Sequence, residues 1–510
     1  MKQKNKLLLL LLLLMTAATG TAWAQSATTH VVDQTTVESI FGGNGYTLGD
    51  AVAAGDVLDF QGEIDLGETT SHSLVVNKQV NIISSTKDAV VKLHTQSGSL
   101  LGEDPGNCFV INKAASGSTL QDIQLFNTQA WFYNTSNVTF TGVTFHVEDA
   151  RVGSGVGSVS IRYSDHLTFD GCSFYTRNNG GSTALTVNAT NNCTFQNCSF
   201  EGEGNIGNLL YLGNVLNLND KPENFGNNDQ STDCTVLNCS FTKSGTSSAA
   251  TLLIGGLRHR VEGVTSENLN ISTAFGADMP TSVDDGHIYR NNSYKGSMTV
   301  IKYSTAENNT LTGSMTVQQG ATATGNTVTV TGNMSIAQDA TATGNTITGN
   351  VTVSGIGATV KDNDITGNVS LSRNDITVTG NTIQGNLTHS QKTATITGNS
   401  ITSTEEYAVY LNSTAADANN TVKYNDLKAA EKKGDDAVSS KSSSNIVSDN
   451  YAAYKVKMKE GVTDADKWTI TPAEATTTGV TAGTTVTLKY NGRLKVKSVT
   501  ATTDAAPVKD

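Results

Sequence analysis

Basic residues are scarce in this chain of 510 residues and hardly cluster: 34 Lys and Arg against 46 Asp and Glu leave a formal charge of −12. Nucleic acid is a poor partner on those grounds, because binding it is dominated by neutralising phosphates. An uncharged or basic ligand fits better, and an acidic polysaccharide would need a local positive patch. Long apolar runs are also missing. The one exception, Leu7 to Leu14, is too short to span a bilayer comfortably. No regular ligand spacing of the EF-hand or nonapeptide kind is present, so neither a metal nor a cofactor is expected.

What stands at the start is an export signal. Lys2, Lys4 and Lys6 precede the leucine run, and small residues end in Ala22-Trp23-Ala24. This predicts a signal peptide over 1–24, cleaved between Ala24 and Gln25. Losing those three lysines takes the charge from −12 to −15. Gln25 is not a cysteine, so no lipid anchor is expected there. The mature chain is expected to be soluble, and secreted or at the cell surface.

The middle is organised by a repeat with few helix-forming residues. Asparagine returns at Asn292, Asn309, Asn326, Asn345, Asn363, Asn381 and Asn399, in steps of 17, 17, 19, 18, 18 and 18 residues. Each is preceded by Asn, Gly or Asp. Two residues later stands Tyr294, Leu311, Val328, Ile347, Ile365, Ile383 or Ile401, and three residues earlier stands Tyr289, Ala306, Ala323, Ala342, Val360, Val378 or Ile396. A period this short points to a β-solenoid, with these positions lining its interior. Stacked coils pair each strand with its copies at roughly 4.7 to 4.9 Å. The asparagine amides then donate and accept along a column.

The same frame runs backwards through Thr-Phe-Thr-Gly-Val-Thr-Phe at 139–145, Thr-Phe-Asp-Gly-Cys-Ser-Phe at 168–174, Thr-Phe-Gln-Asn-Cys-Ser-Phe at 194–200 and Thr-Val-Leu-Asn-Cys-Ser-Phe at 235–241. Val143, Cys172, Cys198 and Cys239 take the asparagine position there, and Phe145, Phe174, Phe200 and Phe241 continue the isoleucine column. Ile123, Val264, Asn425 and Asn450 extend the frame. Cys193 and Cys234 share a second interior column. Buried thiols are therefore expected rather than disulfides, free cysteine being among the most buried residue types. Cys108 lies outside both columns.

These runs resemble the coil signature of right-handed parallel β-helix proteins of the pectin-lyase-like type, over roughly four fifths of the chain; handedness comes from the resemblance. The expected fold is all-β: a right-handed parallel β-helix solenoid (66–452) with an N-terminal cap (25–65) and a small C-terminal β-sandwich module (453–510). Within the cap, Thr47 to Gly55 suggests a short helix and Val57 to Phe60 a strand. The stretch Lys428 to Lys441 is expected to be a loop on the last coils. The C-terminal strands, with Trp468 as core aromatic, resemble a small immunoglobulin-like sandwich of bacterial secreted proteins.

Function in such a solenoid is expected on the loops leaving the coils, since the strands are occupied with one another. Loops of uneven length follow the phenylalanine column and place Glu148, Asp149, Arg151, Arg177, Asn178, Asn179, Glu201, Glu203, Asn205 and Asn208 near one edge, with Arg162 and Tyr163 on the next strand. A shelf of carboxylates and guanidiniums suits sugar hydroxyls or a uronate, and paired acids could cleave glycosidic bonds. Stacked surface loops are, however, polar in any case. The insertion Asn214 to Asp233 is either a lid or a tolerated loop.

The pectinases of this fold resemble one another through N-x-D, D-D, G-H-G and R-x-K elements on consecutive coils. Here Asp284-Asp285-Gly286-His287 and Arg290 fall together, so the required stacking of acids fails; His287 is read as a core histidine. T-x-T pairs such as Thr322 and Thr324, or Thr346 and Thr348, have the pattern of flat ice-binding faces, but they flank the corner and threonine simply suits outward β positions. The reading is a secreted or surface adhesin-like β-helix that binds glycans or cell-surface partners through one edge. The alternative is a polysaccharide lyase or glycoside hydrolase using Arg177, Glu201 and Glu203. The minimal loops after Asn292 favour a spacer.

Overall fold

The structure, a computed structural model, describes residues 27–43, 46–67, 73–94, 107–148, 157–178, 183–204, 206–214, 230–245, 249–273, 279–329, 332–450, 468–471 and 487–490. The signal peptide and the core of the 214–233 insertion lie outside them.

Among the described residues three parallel sheets of 18, 16 and 16 strands run from Thr29 to Ser448. One coil shows the pattern. Thr168–Asp170 belongs to the first sheet, Ser173–Asn178 to the second and Thr183–Asn188 to the third, after which Thr194–Gln196 returns to the first, in register with Thr168–Asp170. The chain is thus an all-β parallel β-helix. Seventeen steps between the 18 strands of the first sheet give a rod about 80 Å long at the usual strand spacing.

The turn from first to second sheet explains the residue before each asparagine. Gly171, Asn197, Asn291, Asn308 and Asp362 all have φ between +53° and +62°. That left-handed conformation is tolerated by Gly, Asn and Asp and resisted by most others. The next residue then points inward, which is why it is a small filler in one half of the rod and an asparagine in the other.

In the asparagine half the column is continuous. Asn292 Nδ2 donates to Asn309 Oδ1 at 2.8 Å, and the links through Asn326, Asn345, Asn363, Asn381, Asn399, Asn425 and Asn450 follow at 2.8 to 3.0 Å. Each of these oxygens also accepts the backbone N–H of the preceding asparagine, as Asn345 Oδ1 does from Asn326 at 2.9 Å. A polar side chain is thereby buried with its hydrogen bonds made.

In the other half the interior is filled by stacked rings. Phe145, Phe174, Phe200 and Phe241 lie face to face at 5.0, 4.8 and 4.8 Å, and Phe140, Phe169 and Phe195 at 4.3 and 4.9 Å. All six cysteines are buried and none is bridged. Cys108 faces outward on the third sheet, buried against Trp131 and Val110.

Several details differ from the sequence reading. The helical turn of the N-terminal region is Val37–Ile40, while Thr47 to Gly55 forms turns and an isolated bridge to Val75. The strand Thr29–Val32 already pairs with Val57–Phe60, so the first sheet begins before the segment read as a cap ends. The stretch 428–441 is not simply a loop: it holds a 3-10 turn, Gly434–Ala437, and the last strand of the third sheet, Val438–Ser440. The threonine pairs do occupy single strands, Thr322–Thr324, Thr341–Thr343, Thr377–Thr379 and Thr395–Thr397 on the first sheet and Thr346–Thr348 on the second, because each strand is only three residues long. Beyond Asn450 the described residues form one antiparallel pair, Trp468–Thr471 with Thr487–Tyr490, in which Trp468 is half-buried.

Candidate functional site

Strand alternation decides what the second sheet shows to solvent. Where Leu125, Phe145, Phe174 and Phe200 point inward, their successors Phe126, His146, Tyr175 and Glu201 point outward and pair in register between Lys92 and Thr242. These side chains form a column of their own. The Phe126 and His146 rings stack at 4.8 Å and His146 and Tyr175 at 4.2 Å, with the Lys92 ammonium 5.6 Å from the Phe126 centre.

The acids predicted to line the shelf are mostly engaged. Tyr175 donates its hydroxyl to Glu203 Oε2 at 2.8 Å, and Arg177, opposite Glu203 in register, approaches Oε1 at 3.8 Å. Burial, together with the Glu203 carboxylate, pushes the Tyr175 phenol up to about 12, so it stays protonated and acts as a donor, not a base. Glu148 lies 3.2 Å from His146 Nε2.

Past Glu201 the second sheet narrows. Its strands shorten from Ser199–Gly204 to Ser240–Ser244 and then to the two-residue Thr265–Ser266 and Ser293–Tyr294. This leaves an open groove of about 520 Å³ on the outer face, with Ser240, Thr242, Thr265, Ser293, Thr310 and Thr312 among its lining. Among the described residues its charged lining side chains are Glu267 and Lys295, which form an ion pair with each other. The groove therefore offers hydroxyl donors and acceptors over four coils with its charge internally balanced.

Of the residues expected on the shelf, Arg177, Glu201 and Glu203 are brought together on the second sheet. Asp149, Arg151, Asn179 and Asn205 lie outside the described residues, and Asn178 ends the strand Ser173–Asn178. Asn208 opens a strand of the third sheet and donates to Thr183 Oγ1 at 3.4 Å. Arg162 is not part of this group: it pairs in register with Asn188, at the far end of the third-sheet strands, about 16 Å of strand from Thr183. It is also buried, at 1 % exposure. The sequence reading passed over Phe126, His146 and Tyr175, although each follows an inward residue of the aligned frame and alternation alone places it outside.

Among the described residues no group of three or more His, Cys, Asp or Glu could hold a metal ion, and no helix is long and apolar enough to cross a membrane. His287 lies in the interior, its Nδ1 accepting the His259 backbone N–H at 3.0 Å.

No family model matches the chain and no curated protein is significantly similar to it. Solved structures that align with it include PfbA, a surface adhesin of Streptococcus pneumoniae, at 11 % identity and TM-score 0.29 over 72 % of this chain and 86 % of that one. The catalytic domain of a GH87 alpha-1,3-glucanase in complex with nigerose aligns at 11 % and 0.26, over 85 % and 70 % of the two chains. The A-module of the Azotobacter vinelandii mannuronan C-5 epimerase AlgE4 aligns at 12 % and 0.24, over 83 % and 98 %.

Proposed function

We propose that this protein is an exported, adhesin-like rod that binds carbohydrate along the outer face of its second sheet. The observation that carries the reading is the groove of about 520 Å³ just past the Phe126–His146–Tyr175 column. Its hydroxyl-rich lining and balanced charge suit a polyhydroxylated, uncharged chain lying along the rod, and preformed concave sites with a few placed polar groups are where ligands bind. The asparagine coils beyond the groove, from Asn326 on, with short strands and tight corners, serve as a spacer.

The second reading, hydrolysis or lyase chemistry, has one specific support: Glu201 and Glu203 stand two residues apart on the same side of one strand. Glycosidases use two carboxylates across the scissile bond. Against it, Glu203 is held by Tyr175 and Arg177, and Tyr175 is kept neutral at about 12.

The test is to incubate the mature protein with plant, host and bacterial polysaccharides, following unsaturated uronates by ultraviolet absorbance, reducing ends, and retention on each polymer. Retention without products, reduced by Thr265→Trp in the groove, is the expected result. Products that vanish with Glu201→Gln or Arg177→Ala would establish an enzyme instead.

A further inference from the structure

The outward position just before the inward column of the second sheet is a hydroxyl on coil after coil. Ser173 pairs in register with Ser199, Ser199 with Ser240, Ser240 with Thr265, Thr265 with Ser293 and Ser293 with Thr310. The row divides in two. Ser199 Oγ donates to Ser173 Oγ at 3.0 Å, and both residues are half-buried. Ser240, Thr265, Ser293 and Thr310 are exposed instead, and none of their hydroxyls has a hydrogen-bond partner among the described residues. The same four residues line the groove of about 520 Å³. The unpaired stretch of the row and the concavity therefore coincide.

A row of this kind sets the repeat of what lies on it. Coils follow one another at about 4.8 Å, so the groove offers one free hydroxyl per step of that length in a straight line. A pyranose joined through equatorial oxygens at positions 1 and 4 advances by close to one such step. Each ring is turned over relative to the one before, so one edge of the chain shows a ring hydroxyl and a hydroxymethyl group by turns. A fixed donor or a fixed acceptor would suit every second ring, whereas serine and threonine hydroxyls donate and accept and suit them all. Chains linked through axial oxygens or through position 3 curl, and leave a straight row after a ring or two. Charge points the same way. Glu267 and Lys295, beside the row, hold each other, and a uronate carboxylate would compete with Glu267 for the lysine.

We infer that the groove takes a neutral, straight glycan of equatorial 1,4 linkage, the ribbon backbone of β-1,4-glucans and β-1,4-mannans, seated with one ring on each of Ser240, Thr265, Ser293 and Thr310. This rests on the reading of the groove as a carbohydrate site, and adds to it the linkage, the length and the lie of the chain along the rod.

The probes are cello-oligosaccharides of two to six rings, maltohexaose, laminarihexaose and a galacturonate hexamer, titrated against the mature full-length protein by calorimetry. Each ring up to the fourth is expected to tighten binding about fivefold, the worth of one hydrogen bond, and a fifth or sixth to add little. Thr265→Val keeps the β-branched shape and removes the hydroxyl, and is expected to weaken cellotetraose about fivefold with the melting temperature unchanged. Ser293→Ala should do the same, while Thr352→Val, on the third sheet, should leave binding as it was. Maltohexaose, laminarihexaose or the galacturonate hexamer bound as tightly as cellohexaose, affinity indifferent to length, or unchanged affinity in both groove variants would overturn the inference and leave a carbohydrate-binding protein standing. Failure of every one of these sugars to bind would remove the carbohydrate reading of the groove along with it.

Discussion

Asn450 donates its side-chain amide to Asp435 Oδ1 at 2.6 Å, and the same oxygen accepts the Asn450 backbone N–H at 3.0 Å. Asp435 thus receives the two hydrogen bonds that a further asparagine would have received. Every link of the column points the same way, so its donors gather at this end, where a carboxylate is a stronger acceptor than an amide.

Asp435→Ala removes the acceptor of the Asn450 backbone N–H and one acceptor of its amide, which keeps Val422 O at 2.9 Å and Ser448 O at 3.2 Å, and is expected to cost about 2 kcal/mol. Solenoids fray from their ends, so the loss should be local. Hydrogen exchange should accelerate more than tenfold in 420–450 and hardly at all before Asn345. Uniform acceleration along the rod would show that Asp435 acts on the whole fold. Asp435→Asn, which keeps an acceptor, should cost less.

Asn345→Val tests the interior of the column. Asn345 Oδ1 accepts from Asn326 N at 2.9 Å and Asn326 Nδ2 at 3.0 Å, and Asn345 Nδ2 donates to Asn363 at 2.9 Å. Losing the side chain leaves the buried Asn326 backbone N–H without its acceptor and takes one bond each from Asn326 Nδ2 and Asn363 Oδ1, which keep Ala306 O and the backbone N–H of residue 345, with an expected cost of about 3 kcal/mol in thermal or denaturant unfolding. Replacing apolar Val143 by Asn should also destabilise, since Ile123 and Cys172 flank it and offer no side-chain amide. A neutral Asn345→Val would mean the column adds nothing beyond filling space.

The buried histidines predict the pH dependence. Burial, and secondarily the neighbouring His259, holds His287 well below the usual 6.5, and burial lowers His389 as well. Above pH 6.5 neither the folded nor the unfolded form carries these protons, and stability is at its full value. As pH falls through 6.5 the unfolded chain takes up protons that the folded chain refuses. Stability should then drop by about 1.4 kcal/mol per pH unit for each histidine until the depressed folded value is reached. His287→Asn keeps an acceptor toward His259 and removes one titration, so the unfolding midpoint should fall less between pH 6.5 and 5 than in the parent.

Arg177 and Glu203 face each other with side chains 56 and 40 % exposed. Such a pair is worth under about 1 kcal/mol. Alanine at both should barely shift the melting temperature while weakening retention on the polymer found to bind; a shift of many degrees would make the pair structural.

The stacking frame was legible in the sequence because one residue per coil is forced: the left-handed corner demands Gly, Asn or Asp, and the next position must be an amide among amides or a filler among fillers. From Ile123 to Asn450 that rule holds with one break, Tyr424 before Asn425, which takes the same left-handed conformation at φ +59°. The position of the helical turn was not legible, because a single turn at Val37–Ile40 has no period to detect and Thr47 to Gly55 has equal propensity. Arg177, Glu201 and Glu203 were found since they follow the aligned phenylalanines directly. Arg162 was misplaced because loop order along the chain does not tell which end of the next strand a residue occupies.

Each coil from Asn292 to Asn399 passes on the hydrogen-bonding pattern it receives, so coils are interchangeable in that stretch. One or several could be deleted or duplicated in units of 17 to 19 residues without new chemistry at the joints. The distance between the groove of the second sheet and the last asparagine of the column is therefore a quantity that gene duplication can set in increments of one strand spacing, about 4.8 Å, as notches set a ruler.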